Sequence, residues 1–340
     1  MKKVLLSVII PIYNAEEYLE DCLSSIYHQT FQDYEVWMID DGSNDQSPQI
    51  CDFYSKKDTR FHVLHKMNGG VSSARNLGLD QSQGNWICFL DSDDTVDKNY
   101  LENLYKAVDD KQEKLIIQGF NIIETHSKKT RLFDNHLYDV SHIYLAFERL
   151  HINRCGFPFA KLYNRNIIQE YYIRFNETIN YAEDVIFMLT YLCHVSYIQT
   201  LEGAQYNYFV RRNNSLSQRI FDFKSEYTCY ENYLSLIIKI KERFNIPERA
   251  LSNSYNVISE YLIRRSIGAL YQKKTRVKQN ERIAILKSLS LNQITFLQRH
   301  YKQCNKFHKL TVFLLSKHYY YLCDLLNQGI AFRRACKHKG

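Results

Sequence analysis

Residues 4–12 read Val-Leu-Leu-Ser-Val-Ile-Ile-Pro-Ile, an almost uninterrupted apolar and β-branched run that stops at Tyr13-Asn14. A strand so apolar on both sides must be covered on both faces, as in a parallel sheet with helices above and below. The following sequence keeps that alternation. Tyr18, Leu19, Cys22, Leu23 and Ile26 recur at helical spacing between residues 15 and 29, with Asn14 placed to cap the helix. Strands are predicted at 34–39, 61–64 and 86–90, with a helix between the first two and another from about Ser72. The expectation is an α/β fold with an open, mainly parallel sheet flanked by helices, whose ligands gather at the carboxyl ends of the strands. Further on, a strand is predicted at 114–120 and helices at 162–169 and 184–194. Beyond about Phe221 the pattern is mainly helical, with Tyr255, Ile258, Tyr261 and Leu262 at helical spacing. The expected domains are 1–220 and 221–340, without internal repeats or a low-complexity linker.

The 340 residues include nine Cys without CxxC or metal-ligand spacing, which favours reduced thiols and a cytoplasmic setting over a disulfide framework or zinc site. Met1-Lys2-Lys3 before an apolar stretch resembles a short signal peptide. Pro11 and Asn14 interrupt that stretch without a small-residue cleavage site, so it reads as a buried strand. No segment reaches the roughly 18 uninterrupted apolar residues needed to span a bilayer. Of the net charge of +7, about +14 falls on residues 221–340 and about −7 on residues 1–220. Such a basic block suits anionic lipid, nucleic acid or an acidic partner, and charge alone does not choose among them. The 27 Tyr and 19 Phe suit sugar rings, a lipid interface or plain core packing.

Polar clusters fall where the predicted strands end. Asp91-Ser92-Asp93-Asp94 places three carboxylates within four residues after a buried strand. They repel one another unless a cation or solvent relieves them, and a hard divalent ion that also meets substrate phosphates is the natural partner. The plain alternative is an acidic turn capping a helix from about Lys98. Asp40-Asp41-Gly42-Ser43 is a good turn whose carboxylates can accept from a base N–H or a ribose hydroxyl. Residues 68–76 join a Gly69-Gly70 loop to a helix start, where backbone and Arg75 supply positive potential. The segment is also an ordinary loop with a helix-surface Arg, and it matches neither GxGxxG nor the P-loop. Glu183-Asp184 opens a strongly apolar helix. An acid there is either a helix-end charge or a general base.

In order and spacing these five motifs, from Ser7 to Asn14 through Glu183-Asp184, resemble the family 2 glycosyltransferases of the GT-A fold over about residues 4–215. The resemblance implies inverting transfer from a nucleotide-diphosphate sugar, most often UDP-linked, with Mn²⁺ or Mg²⁺. It implies a hexosyl- or N-acetylhexosaminyltransferase of the type that builds bacterial surface polysaccharides. By match, Pro11, Tyr13, Asn14, Asp40 and Asp41 surround the nucleoside, and Arg75 lies near base or phosphates. Asp91 and Ser92 face ribose or sugar, Asp93 binds metal with help from Asp94, and Asp184 is the catalytic base with Glu183 toward the acceptor or in a structural role. Arg211 and Arg212 resemble the segment that closes over the diphosphate. The QxxRW motif of processive synthases is not evident. The implied partners are the sugar donor and a glycan or lipid-linked acceptor. An anionic membrane surface for the basic helices and a homo-oligomer contact stay open, and nucleic acid is not expected. A protein O-glycan-extending enzyme and an inactive sugar-binding assembly subunit are the alternatives. A nucleotidyltransferase would carry a Gly-rich loop after the first strand, and a glycoside hydrolase has no use for the nucleotide-like constellation.

Overall fold

The computed structural model describes residues 4–211, 221–272, 277–300 and 306–337. It divides into two compact units. Unit 1 holds residues 1–177, 182–215 and 238–247; unit 2 holds 178–181, 216–237 and 248–340.

Unit 1 is built on a mixed sheet. β1 (Leu6–Ile12) lies between β2 (Tyr34–Asp40) and β4 (Trp86–Phe89), parallel to both, and β3 (Phe61–His65) extends the parallel half. β5 (Thr95–Val96), β6 (Lys114–Glu124), β7 (Ser127–Arg131), β8 (His136–Asp139), β9 (Lys161–Asn164) and β10 (Tyr197–Phe209) complete it. The order is β3-β2-β1-β4-β9-β6-β10-β5, with β9 antiparallel to both neighbours, β7 beside β6 and β8 beside β10. Helices α1 (Glu16–Tyr27), α2 (Ser47–Lys57), α3 (Val71–Gln81), α4 (Tyr100–Tyr105), α5 (Ile143–Leu150), α6 (Arg165–Glu170) and α7 (Glu183–Leu192) punctuate the strands.

Every residue of β1 is buried, as its composition requires. Leu6, Val8, Ile10 and Ile12 share a core with Leu19, Cys22, Leu23 and Ile26 of α1 and Leu101 and Leu104 of α4. On the opposite face α3 comes so close that a Cβ on Gly78 would stand 2.4 Å from Ile9 Cγ2. Pro11 is tolerated in this central strand because β4 pairs with β1 only as far as Ile9 and Phe89, so no ladder bond is lost at the missing N–H.

Two expectations are corrected. Residues 161–164 form strand β9, and the helix predicted at 162–169 shrinks to α6; a short apolar run does not separate strand from helix. Asn14 does not cap α1. It adopts a left-handed conformation (φ 49°), and the first turn of α1 is tied instead by Ser47 Oγ and Asp45 Oδ2, which accept from the N–H groups of Ala15 and Glu16.

Unit 2 is helical, from the first part of α8 (Phe223–Arg243) through α9 (Glu248–Ala269), α10 (Gln279–Ser288), α11 (Leu291–His300), α12 (Lys306–Ser316) and α13 (Tyr320–Lys337). Two buried acids organise it. Glu226 accepts a forked pair from Arg265 at 2.7 and 2.8 Å, and Asp324 one from Arg282 at 2.7 and 3.0 Å. Paired in this way, a buried charge is tolerated; alone it would be costly.

Candidate active site

The loops after β1, β2, β3 and β4 all open at the carboxyl edge of the parallel half, and side chains stitch them together. Asn14 Oδ1 accepts from the N–H of Asn44 at 2.8 Å, while its own N–H donates to Ser43 Oγ at 3.0 Å. Tyr13, the last residue before this junction, is half exposed, and Pro11 is buried beneath it. Asp40 is buried; its carboxylate accepts from the Ser43 N–H (3.0 Å) and meets His65 Nδ1 (2.8 Å). That contact raises the His65 pKa above its usual value. Asp41 is buried as well. It accepts from Lys66 Nζ, from Gly69 N–H (2.9 Å) and from Gly70 N–H (2.7 Å), so its carboxylate folds the glycine loop around itself. Gly42 (φ +75°) lets the turn pass under that loop, since a Cβ there would lie 2.9 Å from the Asn68 nitrogen.

At the exit of β4 the three acids separate in role. Asp94 is fully buried and faces inward: one oxygen accepts from Tyr206 Oη at 2.7 Å, the other from the Phe209 N–H at 2.9 Å. Burial first, then its acidic neighbours, push its pKa up to about 9. Tyr206 Oη also accepts from the Asp91 N–H at 3.2 Å, so Asp94 and Tyr206 brace the turn from below. Asp93 faces outward. Its side chain is 41% exposed and its carbonyl accepts from Arg211 Nη2 at 2.6 Å. Burial and Asp91 raise the Asp93 pKa, and Arg211 opposes them. Arg211 lies over the Tyr18 ring with its Cζ 3.6 Å from the centroid, and its buried Nε has no hydrogen-bond partner. Ser92 is part of the same turn and half-buried. Arg212 lies outside the described residues.

Arg75 joins the two halves of the site. Buried on α3, it donates to Asp91 Oδ1 at 3.0 Å and to Glu183 Oε1 at 3.3 Å. Strand β4 and helix α7 are thus brought to one point by residues 75, 91 and 183. Glu183 and Asp184 follow Ala182, which takes a left-handed conformation at the head of α7. Burial, then the Asp184 charge, raise Glu183 to about 7 against the pull of Arg75. Burial raises Asp184 too, opposed chiefly by Arg75 and also by Lys161. A carboxylate with raised proton affinity suits proton abstraction.

The expected residues among those described therefore meet on one edge of unit 1, with Asp40, Asp41 and Asp94 holding the framework and Tyr13, Asp91 and Asp93 partly exposed. Sequence reasoning missed Lys66, Tyr206 and Lys161. Lys161 is buried and donates to the carbonyls of Phe157 and Phe159, and burial lowers its pKa to about 8. A lone Lys heading an apolar tripeptide was the only available signal.

For a divalent ion the donor set fits a shared site better than a closed cage. Among the described residues no group of three or more His, Cys, Asp or Glu is disposed to hold a metal. Asp93 offers an outward carboxylate, and ions such as Mg²⁺ take one or two protein carboxylates and complete their shell from phosphates and water.

Comparison with known proteins agrees with this geometry. Residues 7–172 match the model of Glycosyl transferase family 2. Among curated relatives, the uncharacterized glycosyltransferase EpsJ of Bacillus subtilis (strain 168) is 31% identical over 220 residues, 63% of this chain and 63% of its own length. The minor teichoic acid biosynthesis protein GgaA of the same organism is 30% identical over 253 residues, 71% of this chain and 55% of its own. The chain thus spans less than two thirds of the length of these relatives. Among solved structures, S. aureus TarS 1–349 in complex with UDP superposes with a TM-score of 0.63 at 22% identity, covering 97% of this chain and 92% of that one. Sequence match, sheet order and strand-end acids converge: through residues 7–172 the chain belongs to the family 2 glycosyltransferases, with the GT-A fold and a helical C-terminal region.

Proposed function

We propose that this chain is an inverting, metal-assisted glycosyltransferase, moving a hexose or N-acetylhexosamine from a UDP-sugar to a hydroxyl of a surface-polysaccharide or teichoic-acid-type acceptor. The observation that carries the reading is the Arg75 bridge, which sets the acid pair at the head of α7 beside the acids at the exit of β4. The fold neighbour TarS 1–349 is known in complex with UDP and with UDP-GlcNAc, which supports the choice of donor.

In this mechanism Asp184, its charge favoured by Arg75 and Lys161 against the effect of burial, accepts the proton of the acceptor hydroxyl as that oxygen attacks the anomeric carbon. The bond to the diphosphate breaks on the opposite face, and a single displacement inverts the configuration. Asp93 would hold Mn²⁺ or Mg²⁺ against the diphosphate, where the ion supplies positive charge to the leaving oxygen. Arg211, pinned at the Asp93 carbonyl and over Tyr18, adds a fixed cation at the same place. Tyr13 presents a half-exposed ring for the nucleobase.

The test is release of UDP from a panel of UDP-sugars with Mn²⁺. At least one sugar should give turnover that a chelator abolishes; no turnover with any UDP-sugar, with or without acceptor, contradicts the reading.

A further inference from the structure

The basic helical region carries an exposed surface on which none of the candidate site residues falls. Helices α12 and α13 form an antiparallel hairpin: Cys323 Sγ reaches the Thr311 carbonyl, and the Arg333 guanidinium lies over the Phe307 ring. Thr311, Val312 and Leu315 of α12 and Cys323 and Asp324 of α13 are buried. The outer sides are apolar where water should favour polar residues. Phe307, Leu310 and Phe313 on α12 and Leu322, Leu325 and Phe332 on α13 are each 44–66% exposed.

Charge selects the occupant. Lys306, Lys309, Lys317 and Arg333 are exposed among these apolar side chains. From residue 283 to 340 the sequence contains one acid, Asp324, and that acid is buried and consumed by Arg282 and Gln328. A second copy meeting this face would set lysine against lysine with no exposed acid between them. Nucleic acid would neutralise the lysines and leave the leucines and phenylalanines wet. We propose that the α12–α13 hairpin docks on an anionic lipid bilayer, lysines among the headgroups and the Phe and Leu side chains below them. Among the described residues no helix is long and apolar enough to cross a membrane, so the contact is with the surface.

The experiment is flotation of the full chain with vesicles of phosphatidylcholine alone or mixed equally with phosphatidylglycerol, at low and high salt. The chain should float with the anionic vesicles at low salt, stay behind with phosphatidylcholine, and release as salt rises. Replacing Lys306, Lys309 and Lys317 by Gln should weaken binding by about fivefold per charge. The pair Phe313→Gln and Leu325→Gln should weaken it while leaving far-UV circular dichroism and UDP-sugar turnover unchanged, because both side chains already face water. No flotation at low salt overturns the proposal, as does flotation indifferent to both sets of substitutions. Dimerisation in light scattering that the apolar pair abolishes, without vesicle binding, assigns the face to a second copy and overturns it equally. None of these outcomes depends on which sugar is transferred.

Discussion

Asp91 and Glu183 approach each other from a strand end and a helix start, and Arg75 between them is what makes two partly buried acids tolerable. Replacing Arg75 by Met should therefore leave uncompensated carboxylates and cost about 3–5 kcal/mol, read as a loss of denaturation midpoint. Arg75→Lys should recover only part, because one ammonium cannot fork to two acids. Asp184→Asn keeps the shape and removes the proton acceptor. Transfer should fall a hundredfold or more in a product assay, with the donor Kd little changed. Glu183 carries a pH signature. Its folded pKa of about 7 stands above the 4.5 of a free Glu, so between those values the folded chain holds the extra proton. Stability from this group is complete at low pH and lost as pH rises toward 7, by roughly 2–3 kcal/mol. Glu183→Gln should thus raise the melting temperature at pH 7.5, with the gap over wild type closing near pH 5.

At the scale of elements, the parallel half of the sheet was legible because a fully buried strand such as β1 can be little other than apolar, and because α1 shows a helical period. The polar loops at the strand ends were legible because their acids follow buried strands directly, but whether each acid braces a turn, as Asp40, Asp41 and Asp94 do, or faces outward, as Asp93 does, is decided by the packing. What the sequence hid is what distant segments decide. The inward turn of Asp94 depends on Tyr206, 112 residues away on β10, and the locking of Asp41 depends on backbone N–H groups of a loop. Strand β9 was hidden because Lys161-Leu162-Tyr163 has no period of its own and pairs only when β4 and β6 flank it. Packing gives a further prediction. Gly78→Ala drives a methyl into Ile9, and the overpacking should cost about 1–3 kcal/mol in chemical denaturation, with a compensating Ile9→Val restoring part of it.

For the molecule as a whole, charge divides along the sequence, about −7 on residues 1–220 and about +14 on residues 221–340, and Asp40, Asp41, Asp91, Asp93 and Asp94 stand at the strand-end edge of unit 1. Acids at that edge repel a bare diphosphate, which makes cation-assisted donor binding the expectation. The most direct test of the account is calorimetric titration of UDP with Mn²⁺ into the wild-type chain, Asp93→Asn and Asp184→Asn. The account predicts that Asp184→Asn binds as the wild type does, whereas Asp93→Asn loses tenfold or more in affinity and Mn²⁺ no longer strengthens binding. Equal, metal-independent affinity in all three proteins would contradict it.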